Sequence, residues 1–189
     1  MATPLRLAII VASTRPGRFA DTVVRWFATQ ADGHPELQPE VIDLAEHPLP
    51  LALPSQATEQ TERLSERLAR ADAFVVVTPE YNHSFPAPLK QAIDVTFDEW
   101  HAKPVGFVSY GGISGGLRAV EQLRQVFAEM HAVTIRDTVS FHGASACFDE
   151  TGTPRDPEGP SIAASQLLRQ LAWWAHALRQ ARLREPYAA

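Results

Sequence analysis

"LRLAIIVASTRPGRFADTVVRWFATQA", Leu5 to Ala31, opens on the apolar run Leu5–Ala12 and turns through Ser13-Thr14-Arg15-Pro16-Gly17-Arg18. It then continues in residues whose apolar members Ala20, Val23, Val24, Phe27, Ala28 and Ala31 recur every three or four positions. That order predicts a buried strand, a donor-rich loop and an amphipathic helix, the opening of a parallel α/β unit.

The loop is suited to an anion. A helix start presents unpaired backbone N–H groups and a partial positive charge, which favours phosphate. Ser13 and Thr14 add hydroxyl donors, Arg15 and Arg18 add forked charge-assisted donors, and Gly17 lets the backbone wrap. An ordinary helix entry with solvated arginines would use the same residue types, because Ser and Thr commonly cap helices. Other phosphate motifs are missing: the chain contains no G-x-x-x-x-G-K-[ST], and no G-x-G-x-x-G follows the first strand. A phosphatase cradle would want a thiolate six positions before Arg18, where Ala12 stands, and the one cysteine is Cys147. Loop one is therefore read as holding a phosphate rather than cleaving it.

Further apolar runs predict strands at Val41–Leu44, Phe74–Thr78, Val105–Tyr110 and Val133–Phe141. Helical spacing recurs at Leu64, Leu68 and Ala71; from Pro88 through Leu89, Ala92, Ile93 and Phe97; at Leu117, Val120, Leu123, Phe127 and Met130; and from Leu167 to Leu178. Strand and helix alternate, which argues for a parallel sheet covered on both faces. The expected fold is a doubly wound five-stranded sheet, in an order such as 2-1-3-4-5, with residues 1–189 as one domain. "EHPLPLALP" (Glu46–Pro54) reads as a stiff surface loop, and His142–Ser161 as a second long loop.

Composition narrows the function classes. Lys plus Arg number 17 against 22 acids, for a net charge of -5, so no basic stripe for nucleic acid is expected. One cysteine permits no intrachain disulfide, and the N-terminal apolar run is too short to span a bilayer or resemble a secretory signal. A cytoplasmic protein without membrane attachment is expected.

Two more loops fall at strand ends, where open α/β sheets bind ligands. Thr78–Pro88, "TPEYNHSFPAP", sets Tyr81, Asn82 and Ser84 among Pro79, Pro86 and Pro88. Prolines restrict the backbone, so the polar groups between them point in fixed directions, which suits a planar heterocycle; a rigid loop whose Asn and Ser cap the helix near Pro88 would use the same residues. "SYGGISGG" follows the fourth strand and carries Gly111, Gly112, Gly115 and Gly116. Glycine lets backbone approach a ligand closely or lie flat beneath a ring.

Other candidates carry less. The seven histidines show no helical ligand spacing and no metal site is expected; His83 alone lies in a candidate loop, while His101 and His142 read as surface residues. Asp98 and Glu99 are adjacent and read as solvated. Phe85 and Trp100 read as an apolar contact patch.

These residues resemble the NADPH-dependent FMN reductase family, flavodoxin-like proteins that include quinone, azo-dye and chromate reductases. The likeness rests on "STRPGR" at Ser13, "TPEYNHSFPAPLKQAID" at Thr78 and "KPVGFVSYGGISGGLRAVEQLRQV" at Lys103, and runs from about Leu5 to Val139. It implies that Ser13, Arg15 and Arg18, with helix-entry amides at Phe19 and Ala20, grip the FMN phosphate. It implies that Pro79, Glu80, Tyr81, Asn82 and Ser84 border the isoalloxazine, and that Tyr110, Gly111 and Gly112 close over the ring. The family usually has Gly where this chain has Ala12. It further implies a homodimer or tetramer, and NADPH, with NADH possible, as the reductant.

The expected function is NAD(P)H-dependent FMN reduction, with electrons passed to a small-molecule acceptor such as a flavin, quinone, azo or nitro compound. The alternative is a flavin-binding electron carrier or a non-catalytic partner protein. Flavin carries the reactive atoms, so no catalytic side chain is expected. Donor and acceptor should share one exposed ring face and bind in turn, a ping-pong pattern.

Overall fold

Five strands, β1 (Leu5–Val11), β2 (Leu37–Asp43), β3 (Ala73–Pro79), β4 (Pro104–Gly111) and β5 (Val133–His142), form one sheet in the computed structural model, which describes residues 3–188. Every neighbouring pair is parallel and the order is β2-β1-β3-β4-β5. This is the expected flavodoxin-like architecture.

Alternation along β1 sends side chains to two cores. Leu5, Leu7, Ile9 and Val11 meet Val23 and Phe27 of α1 (Ala20–Asp32) and Leu167, Leu168 and Leu171 of α6 (Glu158–Arg184). Ala8, Ile10 and Ala12 meet the other face's helices, α2 (Glu59–Ala69), α3 (Ala87–Asp94) and α4 (Leu117–Glu129). Each fully buried aliphatic side chain contributes about 1.5–3 kcal/mol, so a register slip in β1 would empty both cores together.

Helix starts follow local chemistry. Thr58 and Thr61 form a reciprocal capping box at α2. Pro86 precedes α3 and Pro88 sits in its first turn, where a missing N–H is harmless. α4 is entered through Gly116 at φ 86, a left-handed conformation that favours glycine.

Several expectations are corrected. β2 begins at Leu37 and takes in Pro39; it pairs with β1 alone, and an edge strand tolerates proline. The third helix stops at Asp94, leaving Phe97 half-exposed, while Trp100 is buried against Phe74 at 4.6 Å and Phe127 at 5.3 Å between ring centroids. Trp100 is thus core and no part of a contact patch. Asp98 is exposed as expected, while Glu99 is half-buried and accepts hydrogen bonds from the Ser65 hydroxyl and the Phe97 N–H. His101 is buried. The loop after β5 is shorter than expected: it holds a short helix, α5 (Ala144–Cys147), and α6 begins at Glu158, where Asp156 accepts from the Glu158 and Gly159 N–H groups. Among the described residues no helix is long and apolar enough to cross a membrane.

Candidate functional site

β1 and β3 are hydrogen-bonded neighbours, yet α1 leaves β1 on one face and α3 follows β3 on the other. That divergence opens a crevice at their carboxyl ends, the topological switch point of a doubly wound sheet. Loop one (12–19) and loop two (80–86) form its walls. They touch through the Ser13 and Tyr81 hydroxyls, 2.9 Å apart.

In loop one, Ser13 is wholly buried while Thr14, Arg15, Pro16 and Gly17 are exposed. Gly17 adopts φ 64 and the Arg18 N–H closes a turn onto the Arg15 carbonyl at 3.2 Å. Phe19 precedes α1 with no side-chain hydrogen bond to the helix start; the Thr22 and Val23 N–H groups bond to its carbonyl, and the Ala20 and Asp21 N–H groups have no acceptor among the described residues. The Arg15 guanidinium meets no acceptor among the described residues. Arg18 is different. Its Nε donates to Asp21 at 2.8 Å, its Nη1 to Asp43 at 2.7 Å and to the Ser13 carbonyl, and its Nη2 to the second Asp43 oxygen. The guanidinium expected to grip phosphate is spent on protein oxygens.

Loop two is a tight hairpin. Tyr81 and Ser84 exchange backbone hydrogen bonds of 2.8 and 3.0 Å around Asn82 at φ 51 and His83 at φ 68. Paired positive φ values are the geometry of a type I′ turn, which Asn tolerates best among residues with a side chain. The turn presents Tyr81 and Asn82 outward, both exposed. Its remaining polar side chains are tied to α4. The Ser84 hydroxyl donates to Gln122 at 2.6 Å, and Gln122 donates to the His83 carbonyl at 2.7 Å. Glu80 accepts from the Ser114 hydroxyl, from the Arg118 N–H at 3.2 Å and from the Arg118 guanidinium at 2.5 Å. Burial would raise the Glu80 pKa, but Ser114 and Arg118 outweigh it and hold the carboxyl below its usual range. Glu80 and Ser84, expected to border a ring, instead brace loop two against loop three and α4.

Loop three (111–116) is shaped from beneath. The Gly115 carbonyl accepts from Ser109 at 2.8 Å and Ser140 at 2.9 Å; the Ile113 carbonyl bonds His142 Nδ1 at 2.9 Å; and the Gly112 carbonyl accepts from the Gly143 N–H at 2.9 Å. A side chain on Gly115 would strike His142, its Cβ lying 2.6 Å from Cδ2. A Cβ on Gly112 would meet nothing within 4 Å, so that backbone faces open space. Arg118, Gln122, Ser140 and Gly143 escaped the sequence reading, which assigns Ser109, Ser114 and His142 none of these roles. Only the polar ends of β4 and β5 hinted at them, and His142 is a loop brace rather than an unengaged surface residue.

Tyr110 also departs from expectation. It lies in β4, only 5% exposed, with its ring 6.2 Å from that of Phe19, so its side chain is part of the core rather than an exposed cover. Its hydroxyl is buried without a partner among the described residues. Burial pushes its pKa far up and Tyr81 adds to this; Ser13 offsets part of it from nearby without hydrogen-bond geometry. Ala12 is wholly buried in the second core. No cluster of three or more metal-binding side chains occurs among the described residues.

A doubly wound five-stranded parallel sheet with an exposed cation, an uncapped helix start and an open glycine backbone at one switch point places the chain in the flavodoxin-like class. The chain belongs to the NADPH-dependent FMN reductase family, whose model matches residues 5–146. It is 35% identical over 130 residues to an NAD(P)H-dependent FMN reductase of Schizosaccharomyces pombe, covering 64% of this chain and 64% of that one. The chain therefore spans a little under two thirds of that relative's length. A quinone reductase of Pseudomonas putida is 30% identical over 174 residues, covering 87% of this chain and 92% of its own. In fold, the chain is similar to the flavoenzyme NAD(P)H:(acceptor) oxidoreductase FerB from Paracoccus denitrificans, with TM-score 0.75 and 21% identity, covering 92% of this chain and 98% of that one.

Proposed function

We propose that residues 1–189 act as one FMN-binding unit that oxidises NADPH, or NADH, and delivers the electrons to a small-molecule acceptor. The observation that carries this is the exposed, unpaired Arg15 beside the uncapped start of α1. A cation and free amides together fit one terminal phosphate. The rest of the site fits FMN as well. The Gly112 backbone is open, and Tyr81 and Asn82 are exposed at the rim.

Arg15 and the unpaired N–H groups at the entry to α1 would hold the phosphate, with the buried Ser13 hydroxyl fixing loop one to Tyr81. Tyr81, Asn82, Gly111 and Gly112 would border the ring, with Pro79, Glu80 and Ser84 keeping the hairpin rigid. FMN, once bound, would supply the redox chemistry between NAD(P)H and a flavin, quinone, azo or nitro acceptor. The protein binds, orients and limits access; no side chain is assigned a proton-transfer step. Tyr81 and the Gly111–Gly112 backbone leave one open face, so donor and acceptor bind there in turn.

Ile113 is 97% exposed and Leu117 40%, at the same rim. Exposed apolar side chains beside a cofactor site favour a homodimer or tetramer that covers them. A cytoplasmic location, where NAD(P)H is plentiful, suits the reading. The test is steady-state oxidation of NADPH by FMN-loaded protein with a quinone varied at several NADPH concentrations. Parallel double-reciprocal lines support turn-taking, and absent oxidation would leave a carrier or a non-catalytic flavin binder instead.

A further inference from the structure

Asp43 is the last residue of β2, and it brings a carboxylate to the edge of an expected anion site. By itself that charge would repel a phosphate. It is matched by Arg18 in a two-pronged ion pair, with both side chains mostly buried, 12% and 18% exposed. The two charges cancel, so the pair offers a dianion no net attraction. Its yield is geometric: a forked guanidinium locks two elements at a defined angle, as a lysine cannot.

Arg18 Nη1 also takes the Ser13 carbonyl. That bond fixes the plane of the peptide between Ser13 and Thr14. In a trans peptide the N–H points opposite the carbonyl, so the Thr14 N–H is aimed away from Arg18. The Thr14 N–H has no backbone acceptor among the described residues. Asp43 is itself held, accepting the Ala45 N–H at 2.9 Å. Burial acts to raise the Asp43 pKa, but the hydrogen bonds from Arg18 and Ala45 and the charge of Arg18 keep it low, so it stays ionised.

We infer that Asp43 is a positioning residue for the flavin phosphate, acting through Arg18 to present the Thr14 amide, and that Arg18 is no phosphate ligand. This rests on the FMN reading of loop one. The pair joins the end of β2 to the loop after β1, so the edge strand shapes the site without touching the ligand.

The experiment titrates ligand-free protein with FMN and with riboflavin, which lacks the phosphate. Wild type should prefer FMN. Asp43→Asn, which keeps an acceptor for Ala45, should weaken FMN about tenfold while riboflavin binding stays unchanged; a hydrogen bond to a charged group is of that worth. A general loss of packing would weaken both ligands alike. Arg18→Ala should do the same, and the double variant should be no worse than either single. Arg18→Lys keeps the charge but loses the fork, and should resemble Arg18→Ala. FMN affinity unchanged or improved in Asp43→Asn, additive losses in the double variant, or rescue by Lys would each overturn the inference. Should wild type bind FMN and riboflavin equally, the FMN reading itself falls and this inference falls with it.

Discussion

The Ser13 and Tyr81 hydroxyls meet at 2.9 Å, and this contact joins two loops 68 residues apart in the chain. Ser13 is wholly buried, whereas Tyr81 is 37% exposed. Tyr81→Phe should therefore strand a buried hydroxyl, at about 1–2 kcal/mol, and lower the melting temperature of ligand-free protein by about 2–6 °C. Removing both hydroxyls should cost less than the two single losses together. A thermal melt decides it, and an unchanged midpoint in Tyr81→Phe would show the contact to be worth nothing.

Arg15→Ala should weaken FMN at least about tenfold, since a charge-assisted contact is worth about 1.5–3 kcal/mol. Riboflavin binding should be untouched. Fluorescence titration of ligand-free protein measures both, and retained FMN affinity would remove Arg15 from the phosphate site.

Two glycines of loop three should behave oppositely. Gly116→Ala would force a side chain at φ 86 and place its Cβ 2.7 Å from that of Ser109 and 2.9 Å from the Tyr110 nitrogen. It should destabilise by about 1–3 kcal/mol. Gly112→Ala meets nothing within 4 Å and should leave stability within about 0.5 kcal/mol of wild type while weakening flavin. Urea unfolding and FMN titration of the two variants test the contrast. Equal destabilisation would count against it.

Glu80 predicts an acid sensitivity. Its pKa is lowered in the folded state, so its contribution is complete above the ordinary Glu value of 4.5 and is lost as pH falls through the lower folded value. Glu80→Gln should flatten the stability profile in that acid range and loosen the link to Arg118. Urea unfolding as a function of pH would reveal it; identical profiles would mean that Glu80 is braced by packing alone.

Lys103 predicts the converse at alkaline pH. Burial, helped by the charge of Arg182 and opposed by Asp72 and Glu99, lowers its pKa from 10.5 to about 8. The unfolded chain therefore holds this proton more tightly, and folding stability gains as pH rises from 8 to 10.5. Relative to Lys103→Met, wild type should gain up to about 3 kcal/mol over that interval, at about 1.4 kcal/mol per pKa unit. The Nζ bonds to the Leu68 and Ala69 carbonyls, at 3.2 and 3.0 Å, would hold the proton and make the gain smaller. A constant difference between the two proteins across this range would refute the shift.

Legible in the residues alone were the five strands, the two-faced sheet and the three loops at strand ends. Each is a local matter: apolar runs and helical periodicity record which face is buried, and proline and glycine record where the backbone turns. The reading also picked out Arg15, Tyr81, Asn82 and the open Gly112, whose side chains or backbone remain exposed at the rim. Tertiary structure alone decided which polar groups stay available. Arg15 and Arg18 look equivalent in "STRPGR", yet only Arg18 lies within reach of Asp43, 25 residues onward on the neighbouring strand. Glu80 and Ser84 look like ligand contacts until α4 is folded against them, and Tyr110 looks like a lid until β4 carries it into the core beside Phe19. A donor is spent or free according to what the fold places within about 3 Å of it, and residues distant in the chain provide those neighbours.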